Sequence, residues 1–204
     1  APPSPVYGTE DAASITALNR YGCVLDAAGR ALCWGPFTHL ESADVPTLRF
    51  AEYSWLELQV GGGYLCGIAA NQSVQCMGSN NAGTLGIGSA DNSAQPQPVT
   101  GLSRSQSLST GPYYACSVGP NGEVACWGNN GLGRIDATTN DHFLEPRPIA
   151  DLPPAEKVSV GISCACILSQ DGEVICWGQP AGLGSCQPAR DSRDPANNER
   201  RPIG

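Results

Sequence analysis

Thirteen residues recur four times along this chain, and that recurrence leaves few folds open. Cys116 to Gly128 reads CSVGPNGEVACWG, with altered copies at Cys23 to Gly35 (CVLDAAGRALCWG), Cys66 to Gly78 (CGIAANQSVQCMG) and Cys166 to Gly178 (CILSQDGEVICWG). In each copy two cysteines stand ten positions apart and Gly follows two positions after the second. The residue between is Trp34, Met77, Trp127 or Trp177. Successive second cysteines are 43, 50 and 50 residues apart, a period that belongs to arrays of supersecondary units.

The interior of the unit reads as a β-hairpin. Ser117-Val118 and Val124-Ala125 flank Pro120-Asn121-Gly122, and Ala27-Ala28-Gly29 and Gln170-Asp171-Gly172 hold the same place in other copies. A three-residue hairpin loop combines a type I turn with a residue at positive φ, which Gly supplies without steric cost. Counting outward sets Cys116 opposite Cys126 in a non-hydrogen-bonded pair, where strands approach closely and a cross-strand disulfide is feasible. The second copy has Gln72 where the others have Gly, so Asn71, which tolerates the left-handed region, is expected to take that conformation there.

Ten cysteines admit disulfides, a metal site or core thiols. Zinc sites bring cysteines two to four apart with a second pair or histidines nearby, whereas here the interval is ten and the histidines are His39 and His142. The spacing favours disulfides: Cys23 with Cys33, Cys66 with Cys76, Cys116 with Cys126 and Cys166 with Cys176. Disulfides imply an oxidising compartment, and hence a secreted or cell-surface chain. The sequon Asn71-Gln72-Ser73 lies at a hairpin tip, where an N-linked glycan has room; an unmodified polar turn is the other reading.

The register extends beyond the hairpin. Gly61, Gly111 and Gly161 each precede the first cysteine of a pair by five positions, and Trp55 to Val60 alternates as a half-buried strand does. After the hairpins come Asn80 to Gly86, Asn129 to Gly133 and Ala181 to Gly184, then Pro96-Gln-Pro-Val, Pro146-Arg-Pro-Ile and Arg201-Pro-Ile. Each repeat offers about four short strands and no long segment of helical period, so the fold is expected to be all-β. Sheets with Val or Ile on one face and Trp on the other bury both by radial packing, as in a β-propeller. Trp34, Met77, Trp127 and Trp177 are then blade-packing residues. The expected division is a proline-rich lead-in over 1–11 and repeats over about 12–50, 51–100, 101–150 and 151–204.

The pattern Gly-x-x-Tyr-x-Cys, turn, Gly-x-Val-x-Cys-Trp-Gly-x-Asn-x-x-Gly-Leu-Gly, then Pro-x-Pro-Val or Pro-x-Pro-Ile, resembles the repeat of the regulator of chromosome condensation superfamily. The paired cysteines and Cys-Trp-Gly make it similar to extracellular members such as the Crinkly-type plant receptor ectodomains. The resemblance implies a propeller, usually seven-bladed, whose ring and blade faces serve binding. Four repeats are visible, so an incomplete ring or part of a larger one is expected. The family commonly has His two before the first cysteine, where this chain has Tyr21, Tyr64, Tyr114 and Cys164. Cys164 and Cys186 fall outside the repeat pattern, and a fifth disulfide between them is the simplest reading beside free or intermolecular thiols.

No catalytic set is visible. There is no nucleophile elbow, His39 and His142 sit in connections, and Glu123 and Glu173 are repeat-equivalent rather than an acid/base pair. Asp136, Asn140 and Asp141 crowd one connection and Asp191, Asp194 and Glu199 another, but neither has the spacing of a calcium loop. No metal or other cofactor is expected. The net charge of −8 speaks against nucleic acid or an anionic membrane as partner, and no apolar run approaches the roughly 20 residues of a membrane-spanning helix. The reading is a non-enzymatic extracellular protein-interaction module binding other proteins or copies of itself. Its alternatives are a structural subunit of a surface appendage, wall or fibre, and a secreted protein inhibitor.

Overall fold

The structure is a computed structural model, and it describes residues 5–36, 43–50, 52–131 and 133–178. Among these residues every regular element is a strand. The first sheet comprises β1 (Ala12–Leu18), β2 (Tyr21–Asp26), β3 (Ala31–Gly35) and β4 (Ala43–Arg49). The second comprises β5 (Trp55–Val60), β6 (Tyr64–Ala69), β7 (Val74–Gly78) and β8 (Ser93–Pro98). The third comprises β9 (Ser107–Thr110), β10 (Tyr114–Val118), β11 (Val124–Gly128) and β12 (Phe143–Pro148). The fourth has β13 (Ala155–Val160), β14 (Cys164–Ser169) and β15 (Val174–Gly178). Each sheet is an antiparallel meander in sequence order.

The central hairpins are built on the turn chemistry of their loops. In the third sheet the Gly122 N–H donates to the Gly119 carbonyl, and the Gly119 N–H to that of Glu123, with Gly122 at φ +84°. Gly29 and Gly172 repeat this conformation at +75° and +86°. In the second sheet the left-handed residue is Gln72, at φ +68°, and not Asn71. The reason is register: pairing Cys66 with Cys76 fixes a three-residue loop, and such a loop needs positive φ at its third residue whatever stands there. Asn71 does a different job, its Oδ1 accepting from the Ser73 N–H at 3.0 Å and the Ser73 hydroxyl at 2.7 Å.

The glycine that ends each copy has an equally definite role. Gly35, Gly78 and Gly128 lie where the pairing of third and fourth strands shifts register, and all have positive φ. A Cβ on Gly78 would stand 2.6 Å from the Gly63 carbonyl oxygen. This is a bulge at which only Gly lets the chain turn close to the neighbouring strand.

Successive sheets pack radially. The first strand of each sheet lies against the first two strands of the sheet before it: β5 against β1 and β2, β9 against β5 and β6, and β13 against β9 and β10. Three apolar clusters fill the three spaces so formed. Each sheet therefore has a forward face turned to the next sheet and a backward face turned to the previous one.

Candidate interaction surfaces

The alternation of each strand decides what each face carries. The forward face of the second sheet presents Tyr64, Cys66, Ile68, Val74 and Cys76, and the backward face of the third answers with Leu108, Ala115 and Trp127. One interface earlier, Cys23, Leu25, Ala31 and Cys33 meet Leu58, Val60, Leu65 and Met77. One later, Tyr114, Cys116, Val118, Val124 and Cys126 meet Ala155, Val158, Ala165 and Ile167, with Ile175 and Trp177 at the margin. Cysteines thus lie on forward faces, and the residue after the second cysteine lies on backward faces.

The paired cysteines are joined within their own hairpins: Cys23 to Cys33, Cys66 to Cys76, Cys116 to Cys126 and Cys166 to Cys176, with Cα atoms 4.0 to 4.1 Å apart. Cys164 is also disulfide-bonded; Cys186 lies outside the described residues. So do His39, Asp191, Asp194 and Glu199.

Polar bonds recur at the interfaces in fixed places. The carbonyl of the third turn residue accepts from the N–H that opens the next sheet: Gly29 from Trp55 at 2.9 Å, Gln72 from Ser105 at 3.0 Å and Gly122 from Ala155 at 2.9 Å. A first-strand hydroxyl accepts from the next first strand, Thr16 from the Val60 N–H at 3.2 Å and Ser109 from the Val160 N–H at 3.0 Å. The Trp127 indole N–H donates to the Thr84 carbonyl at 3.0 Å. These bonds satisfy groups that the packing would otherwise bury without partners.

Two buried tyrosines share one repeat position but differ in bonding. The Tyr64 hydroxyl donates to the Tyr114 carbonyl at 2.8 Å, with the Gly111 carbonyl at 3.0 Å. The Tyr114 hydroxyl is buried with no hydrogen-bond partner. Burial holds both phenols far above the usual tyrosine range.

Sequence reasoning assigned no role to Asn80 and Asn130, four positions after the second cysteine, yet both are fully buried organisers of the long connections. The Asn130 amide donates to the Asp136 and Thr139 carbonyls at 2.9 and 2.7 Å, while its Oδ1 accepts from the Ile135 and Asp136 N–H groups. Asn80 binds the Ser89 and Asp91 carbonyls and the Leu85 N–H in the same manner. Within this loop the Asp136 carboxylate is held below the usual range by the Thr138 hydroxyl and N–H. The Asp141 carboxylate accepts from the Thr139 hydroxyl at 2.7 Å.

On the hairpin-turn side, a groove of about 460 Å³ runs between the second and third sheets, lined by Leu56, Glu57, Ile68, Gln72, Ser105 and Gln106 among others. Burial pushes the Glu57 carboxyl up, opposed by the Gln59 amide at 2.9 Å. His142 is exposed beside a shallow cavity bordered by Glu145 and Arg147. Glu123 caps its own turn, accepting from the Asn121 N–H at 3.0 Å, and Glu173 is exposed. Asn71 is exposed at its hairpin tip.

The outermost faces break the burial pattern. Val174 holds the place of Val74 and Val124, which are 2% and 4% exposed, yet Val174 is 70% exposed. Ile15 holds the place of Leu58, Leu108 and Val158, which are 5%, 1% and 7% exposed, yet Ile15 is 73% exposed. Cys166, Cys176 and Trp34 are half-buried where their counterparts in the second and third sheets are fully buried. Among the described residues no further sheet packs on the forward face of the fourth sheet or on the backward face of the first.

No protein-family model matches the chain, and no curated protein matches it. Solved structures do. Yeast RCC1 (Prp20), in its complex with Kap60, aligns at 13% identity over 85% of this chain and 45% of that one, with a TM-score of 0.73. The fold is that of a β-propeller. Human WBSCR16 aligns on the propeller at 14% identity over 80% of this chain and 46% of that one, TM-score 0.70. The ectodomain of the Physcomitrella patens receptor kinase CR4 aligns at 22% identity over 82% and 39%, TM-score 0.55. The chain spans less than half the length of each of these proteins, and its sheets are propeller blades.

Proposed function

We propose that this chain is a non-enzymatic, extracellular protein-interaction module built of disulfide-stapled propeller blades. The observation that carries the reading is the rigidity of the surface that the blades present: each is stapled by its own disulfide and held to its neighbour by the recurring turn-carbonyl bond. A preorganised surface loses little entropy on binding.

The extracellular assignment is supported by the disulfides, which persist in oxidising compartments. Exposure of Asn71 at its hairpin tip, where an N-linked glycan has room, fits it as well. The test is site-specific photo-crosslinking in native material, with the crosslinker at Leu56, exposed on the groove between the second and third blades, or at His142, and a control at the turn residue Asp171. The reading expects discrete protein adducts from at least one of the two positions and none from the control. Adducts absent from both would overturn it.

A further inference from the structure

We infer that Asn71 carries an N-linked glycan, so that the second blade presents a carbohydrate at the tip of its hairpin. The inference rests on the extracellular reading and adds a covalent modification to it.

No other asparagine of the chain has Ser or Thr two positions on, and proline is absent from both Gln72 and Val74 positions of this sequon. Asn121 holds the same place in the third turn but is followed by Gly122-Glu123. The two turns are closed in opposite directions. In the third, the Glu123 carboxylate reaches back to accept from the Asn121 N–H at 3.0 Å. In the second, Asn71 reaches forward, its Oδ1 accepting from the Ser73 N–H at 3.0 Å and the Ser73 hydroxyl at 2.7 Å.

Both of those bonds run through the carboxamide oxygen. The Nδ2 amide, the atom to which a sugar is joined, is left without a partner among the described residues, and Asn71 is exposed. A sugar on Nδ2 therefore breaks none of the hairpin's hydrogen bonds. The turn itself is held by backbone groups, the Gln72 N–H donating to the Ala69 carbonyl at 2.7 Å and the Gln72 carbonyl accepting from the Ser105 N–H at 3.0 Å. The contact between the second and third blades thus stays intact beneath the glycan.

The donor is a lipid-pyrophosphate-linked oligosaccharide, met in the oxidising secretory compartment where the disulfides of this chain form. The bond from Asn71 Nδ2 to the sugar C1 forms as the bond from C1 to the pyrophosphate oxygen breaks. The Nδ2 proton passes to a base of the transferase, and the lipid pyrophosphate leaves.

The test is mass spectrometry of peptides from the chain taken from its native source, before and after a peptide-N-glycosidase in heavy-oxygen water. The peptide holding Asn71 is expected with added N-acetylhexosamine and hexose, and after treatment with a heavy-labelled Asp in place of Asn71. Secretion of the full chain from a glycosylating host separates the sequon from the turn. Wild type and Ser73→Thr are expected to lose mass on treatment, and Asn71→Gln and Ser73→Ala to show no change. An Asn71 peptide that is wholly unmodified in native material, or a loss of mass that persists in Asn71→Gln, overturns the inference. Unmodified Asn71 beside four intact hairpin disulfides removes the glycan and leaves the extracellular module reading standing, whereas free thiols remove both.

Discussion

Replacing Tyr64 and Tyr114 by Phe, one at a time, tests whether hydrogen-bond accounting governs these interfaces. The two residues have the same repeat position and both are wholly buried, so area and shape change equally. At Tyr64 the lost hydroxyl donates to the Tyr114 carbonyl at 2.8 Å. That carbonyl keeps the Gly111 N–H at 2.9 Å, but the Gly111 carbonyl loses the phenol at 3.0 Å. Loss of one buried bond whose acceptors are partly satisfied costs about 1–2 kcal/mol. At Tyr114 the hydroxyl has no partner, so removing it relieves a desolvation penalty and is neutral or stabilising by up to about 1 kcal/mol. Urea unfolding of both variants, with disulfides intact, measures the difference. Equal destabilisation, or a larger loss at Tyr114, would refute the reasoning.

Other perturbations address the turns, the staples and pH. Gln72→Gly removes a left-handed non-glycine residue while keeping the carbonyl that accepts from Ser105; thermal unfolding is expected to show a gain of about 0.5–1 kcal/mol. Replacing Cys116 and Cys126 together by Ala opens a short loop and costs about 3 kcal/mol from chain entropy alone, plus lost packing. The same change at Cys166 and Cys176, which are half-buried, is expected to cost the chain term with less packing loss, and denaturant midpoints compare them. Asp26 is held below the usual carboxylate range by the Arg30 backbone N–H and then by the Arg30 side chain, with the Ala28 N–H also bound. Its stabilisation is therefore present above the ordinary carboxylate pKa and lost as pH falls through the lowered one. Asp26→Asn is expected to lower the melting temperature at neutral pH and to converge with wild type in strong acid.

Much of the fold is legible in the sequence because the repeat is written in residues with single structural uses. Cys116 and Cys126 at a separation of ten, around Pro120-Asn121-Gly122, specify a hairpin with paired cysteines. Trp127 and Val124, on strands of known alternation, specify two buried faces. The second turn is less legible, because Asn71 is locally the better left-handed residue whereas the loop length imposed by the strands selects Gln72. Asn80 and Asn130 went without a role because their bonding depends on how long connections fold back, and nothing in local spacing encodes that. Least legible is the exposure of Ile15 and Val174, which differ from their buried counterparts only in what lies beside them among the described residues.

The most direct test of the account is peptide mapping of the protein taken from its native source, alkylated and digested without reductant. Linked peptides joining Cys23 to Cys33, Cys66 to Cys76, Cys116 to Cys126 and Cys166 to Cys176 are predicted, as stapled blades in an oxidising compartment require. Ten alkylated thiols would contradict it, removing the disulfides and the extracellular module built on them.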